Sequence, residues 1–337
     1  MEKIRMHAAG IHIGASKVFV GLENGEVHSY QTFTSDFKLL ADLLIRNQVS
    51  TVAMEATGVY WIVLYDILVE YGLDVWLVDG RQTRQVPGRK TDVKDCLWIQ
   101  HLHRYGLLNR CFVAEGSLKE LRSYQRLRED HLRSSAMHIN HMQKALTEMN
   151  IRITEVLSQV QGKSGMSMIE AIAGERDKEV LLSLCHESVK KNKSEQILKS
   201  LEGYYTQAGL FALRQAYNGY QFYQQQIAEC DIQIQRVLEQ MNEGNLIQQG
   251  KRKEIRHNRP NVENLGGHLL SKFGGKNASV MSGITDYTWL QIYSWLGLSP
   301  GQNRSGKTNK RARKGRPKAG QIFRQIAQGL LNSKRLL

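Results

Sequence analysis

The sequence predicts an α/β fold followed by mainly α-helical structure. Three observations carry this. Residues 7–115 alternate short apolar runs with segments of helical period. Residues 116–245 hold apolar stripes at about 3.5-residue spacing over long stretches. Residues 246–337 mix Gly, aromatic and basic residues around short helical patterns. The expected division is 1–115, 116–245 and 246–337.

Ala8–Ile13 and Lys17–Leu22 are short apolar runs on either side of Gly14-Ala15-Ser16, the pattern of a strand hairpin. Glu26–Thr34 alternates weakly as a third strand. Asp36–Asn47 spaces Phe37, Leu39, Leu40, Leu43, Leu44 and Ile45 as a helix does. Thr51–Met54 reads as a strand, Val59–Tyr71 as a helix and Asp74–Val78 as a strand. Gln82–Lys90 is a polar loop containing Pro87-Gly88. Asp92–Tyr105 is a helix, with Asp92 able to cap its start and Gly106 its end. The order is ββ(β)αβαβα.

In the middle region Leu118, Leu121, Tyr124, Leu127, Leu132, Ala136, Ile139, Met142, Leu146 and Met149 form one stripe. Leu210, Leu213, Tyr217, Tyr220, Ile227, Ile234, Leu238 and Met241 form another, in heptad register with polar Gln224 and Asp231 in the seam. Such stripes predict an antiparallel hairpin or an intermolecular coiled coil. Gly162–Gly203 is a smaller helical insertion. The run Lys190-Lys191-Asn192-Lys193 reads as a solvated turn. Gln249–Asn264 is a polar linker, Leu265–Gly297 mixes Gly with aromatics, and Ile322–Leu331 is a short amphipathic helix.

Charge is distributed unevenly. The chain of 337 residues carries 46 Lys+Arg and 32 Asp+Glu, a net +14. Residues 251–337 hold 18 basic and 3 acidic side chains, against 28 and 29 before them. A polyanionic partner for the last quarter follows. The longest apolar region, Val59 to Val78, is broken by Asp66, Glu70 and Asp74 and cannot span a bilayer unassisted. The N-terminus lacks the apolar core of a signal peptide. Cys96, Cys111, Cys185 and Cys230 form no close-spaced pair, so neither a zinc cluster nor a disulfide framework is expected. A reducing, cytoplasmic compartment without membrane attachment is the expectation.

Three carboxylates stand out. Glu55 follows the strand Thr51–Met54, and Asp92 and Asp95 share one face of a helix's first turn. Carboxylates converging at a sheet edge bind Mg²⁺ or Mn²⁺, and such ions assist phosphodiester cleavage. The alternative is structural: Asp92 as N-cap and Asp95 as partner of the helix dipole.

Longer motifs point to a family. They are A-A-G-I-H-I-G at 8–14, V-A-M-E-A-T-G-V-Y-W at 52–61, V-P-G-R-K-T-D-V-K-D-C at 86–96, H-M-Q-K-A-L-T-E-M-N at 141–150, A-G-E-R-D at 173–177 and S-W-L-G-L-S-P-G-Q-N-R-S-G-K at 294–307. In these the sequence resembles the DEDD transposases of bacterial insertion sequences, the IS one-ten family and its one-one-one-one branch, related to the Piv DNA invertase. The resemblance implies an RNase H-like (RuvC-like) N-terminal domain, a helical coiled-coil insertion and a mainly helical C-terminal transposase domain. It implies that Glu55, Asp92 and Asp95 are the last three of four catalytic, metal-binding acids. His12 stands where the first aspartate is expected.

Imidazole ligates manganese or zinc but is a poor magnesium ligand. His12 therefore admits three readings: altered metal preference, a catalytically weakened copy, or a strand histidine beside a site held by three acids.

The resemblance also implies that Ser305 is the nucleophile. A serine hydroxyl attacking a DNA phosphate holds the strand as a phosphoserine ester. Arg304, Lys307, Lys310, Arg311, Arg313, Lys314, Arg316 and Lys318 surround it, with no acid between Arg304 and Lys318, as a phosphate-backbone grip. Trp289, Tyr293 and Trp295 are read as core. The C-terminal region is shorter than the family pattern, which suggests a shortened copy.

The implied function is a transposase or recombinase that cuts and rejoins DNA at element ends and target. The implied partners are a structured guide RNA and further copies in a dimer or tetramer, at the bacterial nucleoid when DNA-bound. An inactive remnant acting as a nucleic-acid-binding regulator and a Holliday-junction-type nuclease are the alternatives.

Overall fold

The computed structural model describes residues 2–83, 91–157, 161–174, 178–184, 187–242, 246–247, 258–272, 275 and 284–295, together with Ile322 and Ile326. These fall into two compact units, one built on Met1–Glu115 and the other on Gly116–Ser294.

The first unit is a five-stranded mixed sheet. Its strands are β1 (Ala8–Ile13), β2 (Lys17–Gly21), β3 (Val27–Gln31), β4 (Thr51–Glu55) and β5 (Asp74–Val78). Their order is β3-β2-β1-β4-β5. β1 and β2 pair antiparallel with Ile13 opposite Val18, and Gly14 N–H donates to the Lys17 carbonyl to close the turn. β2 and β3 continue antiparallel, whereas β1, β4 and β5 run parallel. This arrangement is compatible with the RNase H-like expectation.

Strand alternation builds two layers around the sheet. Ile11 and Ile13 of β1, Val18 and Val20 of β2, Val52 and Met54 of β4 and Val75 and Leu77 of β5 are buried in one cluster. They pack with α1 (Thr34–Arg46) and α2 (Trp61–Glu70). Phe37, Leu40, Ala41 and Leu44 of α1 follow the i, i+3, i+4, i+7 spacing that puts them on one helix face. Each large apolar side chain buried this way contributes about 1.5–3 kcal/mol. The opposite face of the sheet carries α3 (Asp92–Arg104), through Ala53 and Val78 against Ile99 and Leu102.

Glycine sets how closely α3 approaches. A Cβ at Gly10 would lie 2.2 Å from the Gln100 backbone nitrogen and 2.4 Å from the Cys96 carbonyl oxygen. The helix backbone therefore rests directly on β1. Gln100 Nε2 donates to the Ala8 carbonyl at 3.2 Å.

The second unit centres on α4 (Gly116–Glu148) and α9 (Gln207–Asn242). Arg128 meets Asp231, Gln224 donates to Ser135 and Met149 lies against Gly209, so the helices run antiparallel. Of the two arrangements expected from the heptads, this chain forms the intramolecular hairpin. The polar seam residues are explained: Gln224 Nε2 reaches Ser135 Oγ at 2.8 Å, and Asp231 Oδ1 lies 2.5 Å from Arg128 Nε.

At one end of the pair, α5 (Ile153–Val156), α6 (Lys163–Ala173), α7 (Lys178–Ser183) and α8 (Glu187–Ser200) accompany a cluster including Met142, Leu146, Met168, Ile172, Ile197 and Leu213. The lysine run expected as a turn lies within α8, which kinks at Lys193, where φ is −141°. At the other end, α10 (Leu265–Lys272) and α11 (Asp286–Trp295) join Leu121, Ile234 and Leu238. Trp289 is buried there and Tyr293 packs against the same cluster, as expected of core aromatics.

Candidate metal centre

The site begins with a helix cap. Thr91 is the N-cap of α3, and its side chain accepts a hydrogen bond from Lys94 N–H at 3.3 Å. The capping role the sequence offered to Asp92 is thus filled by its neighbour. Asp92 becomes the first helical residue, with its carboxylate free of the cap. Asp95 sits one turn on and is buried, whereas Asp92 is exposed. Both lie at the positive end of the helix dipole, which favours anionic groups.

β1 supplies the third group. Strand alternation puts Ala8, Gly10 and His12 on the face that α3 covers. The close approach at Gly10 brings the start of α3 beside His12. His12 Nε2 lies 3.5 Å from Asp92 Oδ1. One ligand atom each from His12, Asp92 and Asp95 lies within 4.8 Å of the others. One imidazole nitrogen and two carboxylate oxygens form a donor set suited to a divalent cation, manganese in particular. His12 Nδ1 is buried with no hydrogen-bond partner. The imidazole is therefore not held by a second group on its far side, as metal-binding histidines usually are.

Glu55 is placed differently. Ile11 is the β1 partner of Met54, so the next step in register sets His12 beside Glu55 on the α3-covered face. The carboxylate, however, is engaged elsewhere. Thr83 Oγ1 donates to Glu55 Oε2 at 3.0 Å, and a Cβ at Gly80 would lie 2.4 Å from Glu55 Oε1. Glu55 thus joins its expected partners in sheet position, while its oxygens face the turn after β5. Thr83 and Gly80 were not singled out from the sequence. No local pattern there marks a hydroxyl that will meet a carboxylate 28 residues away.

Ser305 and the basic residues Arg304, Lys307, Lys310, Arg311, Arg313, Lys314, Arg316 and Lys318 lie outside the described residues. So do residues 84–90 and 248–257. The amphipathic helix expected over Ile322–Leu331 is described only at Ile322 and Ile326, both helical and buried.

The segment holding this cluster matches the DEDD_Tnp_IS110 transposase family over residues 9–151. That segment is similar to the DEDD transposases. It takes in β1 from Ala9 on, the other four strands, His12, Glu55, Asp92, Asp95 and the whole of α4. No curated protein matches the chain. Of the residues singled out in the sequence, His12, Asp92 and Asp95 come together, and Glu55 lies beside His12 in the sheet with its carboxylate bonded to Thr83. Among the described residues, no helix is long and apolar enough to cross a membrane.

Proposed function

We propose that the chain is a DNA transposase of an insertion sequence. In this reading residues 1–115 form an RNase H-like domain, 116–245 a helical spacer and 246–337 a basic transposase domain. The observation that carries the reading is the convergence of His12, Asp92 and Asp95 in the segment that matches the transposase family. These three residues, with Glu55 beside them in the sheet, would hold Mg²⁺ or Mn²⁺. A bound divalent ion supplies Lewis-acid polarisation of a phosphodiester oxygen.

The imidazole makes Mn²⁺ the better-suited ion, because nitrogen donors add little to magnesium binding. Exposed Asp92 leaves the cluster open to a strand from solvent. Ser305 Oγ would then bond to phosphorus as the bond to the leaving sugar oxygen breaks. The serine gives up its proton and the released sugar oxygen takes one. The phosphoserine ester conserves the bond energy for rejoining. Arg304, Lys307 and Lys310 would offset the added phosphate charge, and the run to Lys318 would hold the backbone in a salt-sensitive way. A structured guide RNA would choose the DNA sites, and Ser305 of one protomer would meet the acids of another in a dimer or tetramer at the nucleoid.

The test incubates purified protein with element-end DNA, guide RNA and Mg²⁺ or Mn²⁺, and looks for a covalent protein–DNA adduct. The adduct is expected with Mn²⁺ and is expected to vanish in both Ser305→Ala and Asp92→Ala. Cleavage that survives Ser305→Ala would instead identify a nuclease working through the acidic cluster alone. Binding without cleavage in either metal would identify a nucleic-acid-binding regulator.

A further inference from the structure

Directly after Glu55 the chain makes a tight, well-anchored turn into α2. Ala56 N–H donates to the Val78 carbonyl, Thr57 N–H to the Glu55 carbonyl and Tyr60 N–H to the Thr57 carbonyl. Gly58 takes φ +53°, and the Trp61 indole N–H donates back to its carbonyl at 3.2 Å. Trp61 itself packs on the sheet core and against Tyr65, edge to face. The turn is therefore held from both sides.

This turn presents apolar and aromatic groups to solvent. Val59 is 70% exposed, Tyr60 51% and Val63 50%. From Ala56 to Tyr65 there is no charged residue. An apolar and aromatic surface pinned in water is solvated at a cost and commonly marks a contact site. Its location is specific. Tyr60 is five residues beyond Glu55, at most about 18 Å along the chain and less with these turns. It lies past the carboxyl end of β4, the edge at which parallel strands present ligand sites.

We propose that Val59 and Tyr60 form a stacking shelf for unpaired bases of the DNA strand whose phosphate the metal cluster holds. The inference rests on the function proposed above. Its chemistry divides the strand's recognition. The cation site and the basic C-terminal segment deal with phosphate charge, and the neutral shelf meets base faces. The Tyr60 ring offers a π surface that any base can stack on, and Val59 and Val63 extend it as an apolar floor. A charge-free shelf is matched to bases and not to backbone.

The experiment uses the full chain with Mn²⁺ and two probes of equal length: (dT)12, and the same strand with abasic sugars throughout. Wild type is expected to bind the base-bearing strand about tenfold more tightly, the factor expected from stacking one base. Tyr60→Ala should abolish that preference while leaving abasic-strand affinity and Mn²⁺ binding unchanged. Tyr60→Phe should retain it, since the ring and not the hydroxyl does the stacking. A preference that persists in Tyr60→Ala overturns the proposal. So does a change of oligomeric state in Tyr60→Ala with strand affinity unaltered, which would make the surface a contact between copies. If wild type binds Mn²⁺ but neither strand, the shelf and the DNA-processing reading fall together. If it binds the strands but no Mn²⁺, the metal reading alone fails, and the shelf is overturned unless the base preference still follows Tyr60.

Discussion

At the scale of single residues, Gly10 decides whether the cluster exists. Its missing side chain is what lets the backbone of α3 lie on β1, and the atoms in the way are backbone atoms that cannot swing aside. Gly10→Ala is expected to destabilise the protein by about 1–3 kcal/mol or more, as overpacking does. It should also weaken Mn²⁺ binding, because the start of α3 must lift from His12; urea denaturation and a Mn²⁺ titration check the two effects. A second residue sets a pH limit. His103 is fully buried, and burial, helped by the nearby Arg5 charge and opposed by Asp74, pushes its pKa from the usual 6.5 to about 4. Its Nε2 lies 2.8 Å from Thr51 Oγ1. The unfolded chain therefore takes up this proton more readily than the native one. Stability is full above pH 6.5 and falls as the pH drops toward 4, by about 3 kcal/mol in all. Urea midpoints measured from pH 7 to 4 should drop less steeply in His103→Gln than in wild type.

At the scale of elements, the Arg128–Asp231 pair is a buried ion pair joining the two long helices of the helical unit. Both partners are buried. Arg128 also donates to the Asn258 carbonyl at 3.0 Å, and Asp231 Oδ2 accepts from Asn261 N–H at 2.9 Å, so the pair ties α4 and α9 to the segment before α10. Asp231→Leu alone strands a buried guanidinium and should cost about 3–5 kcal/mol; adding Arg128→Met should recover much of it. A double-mutant cycle by urea denaturation measures the coupling. Much at this scale was legible. β1 and β5 run over the ranges the apolar runs predicted, and α3 ends one residue early with Gly106 in the left-handed conformation at φ +70°. Asp231 in a heptad seam signalled a polar contact, but its partner on α4 could not be read without knowing the antiparallel register. The Thr91 cap was missed because Asp92 is itself a good capping residue and sequence alone does not rank the two. The Glu55–Thr83 contact was illegible for a different reason: it depends on the path of the turn after β5, which no periodicity encodes.

At the scale of the whole molecule, the uneven charge and the acidic cluster belong to different parts of the chain. The nearly neutral first 250 residues hold the sheet, His12, Glu55, Asp92 and Asp95, whereas the excess positive charge lies beyond them with Ser305. The family match covers residues 9–151 of the first part and supports the reading of that stretch as a transposase segment. His12 stands where the family resemblance implies an aspartate, and it bears on which ion the proposed site would take. The central claim is that His12, Asp92 and Asp95 hold a divalent cation. Titration of Mn²⁺ into the full chain, followed by electron paramagnetic resonance with Mg²⁺ as competitor, tests it most directly. One Mn²⁺ site is expected, resistant to Mg²⁺ in wild type, weakened on the order of tenfold or more in Asp92→Ala and in Asp95→Ala, and readily displaced by Mg²⁺ in His12→Asp. A Mn²⁺ site of unchanged affinity in the Asp92→Ala, Asp95→Ala double variant would contradict the account.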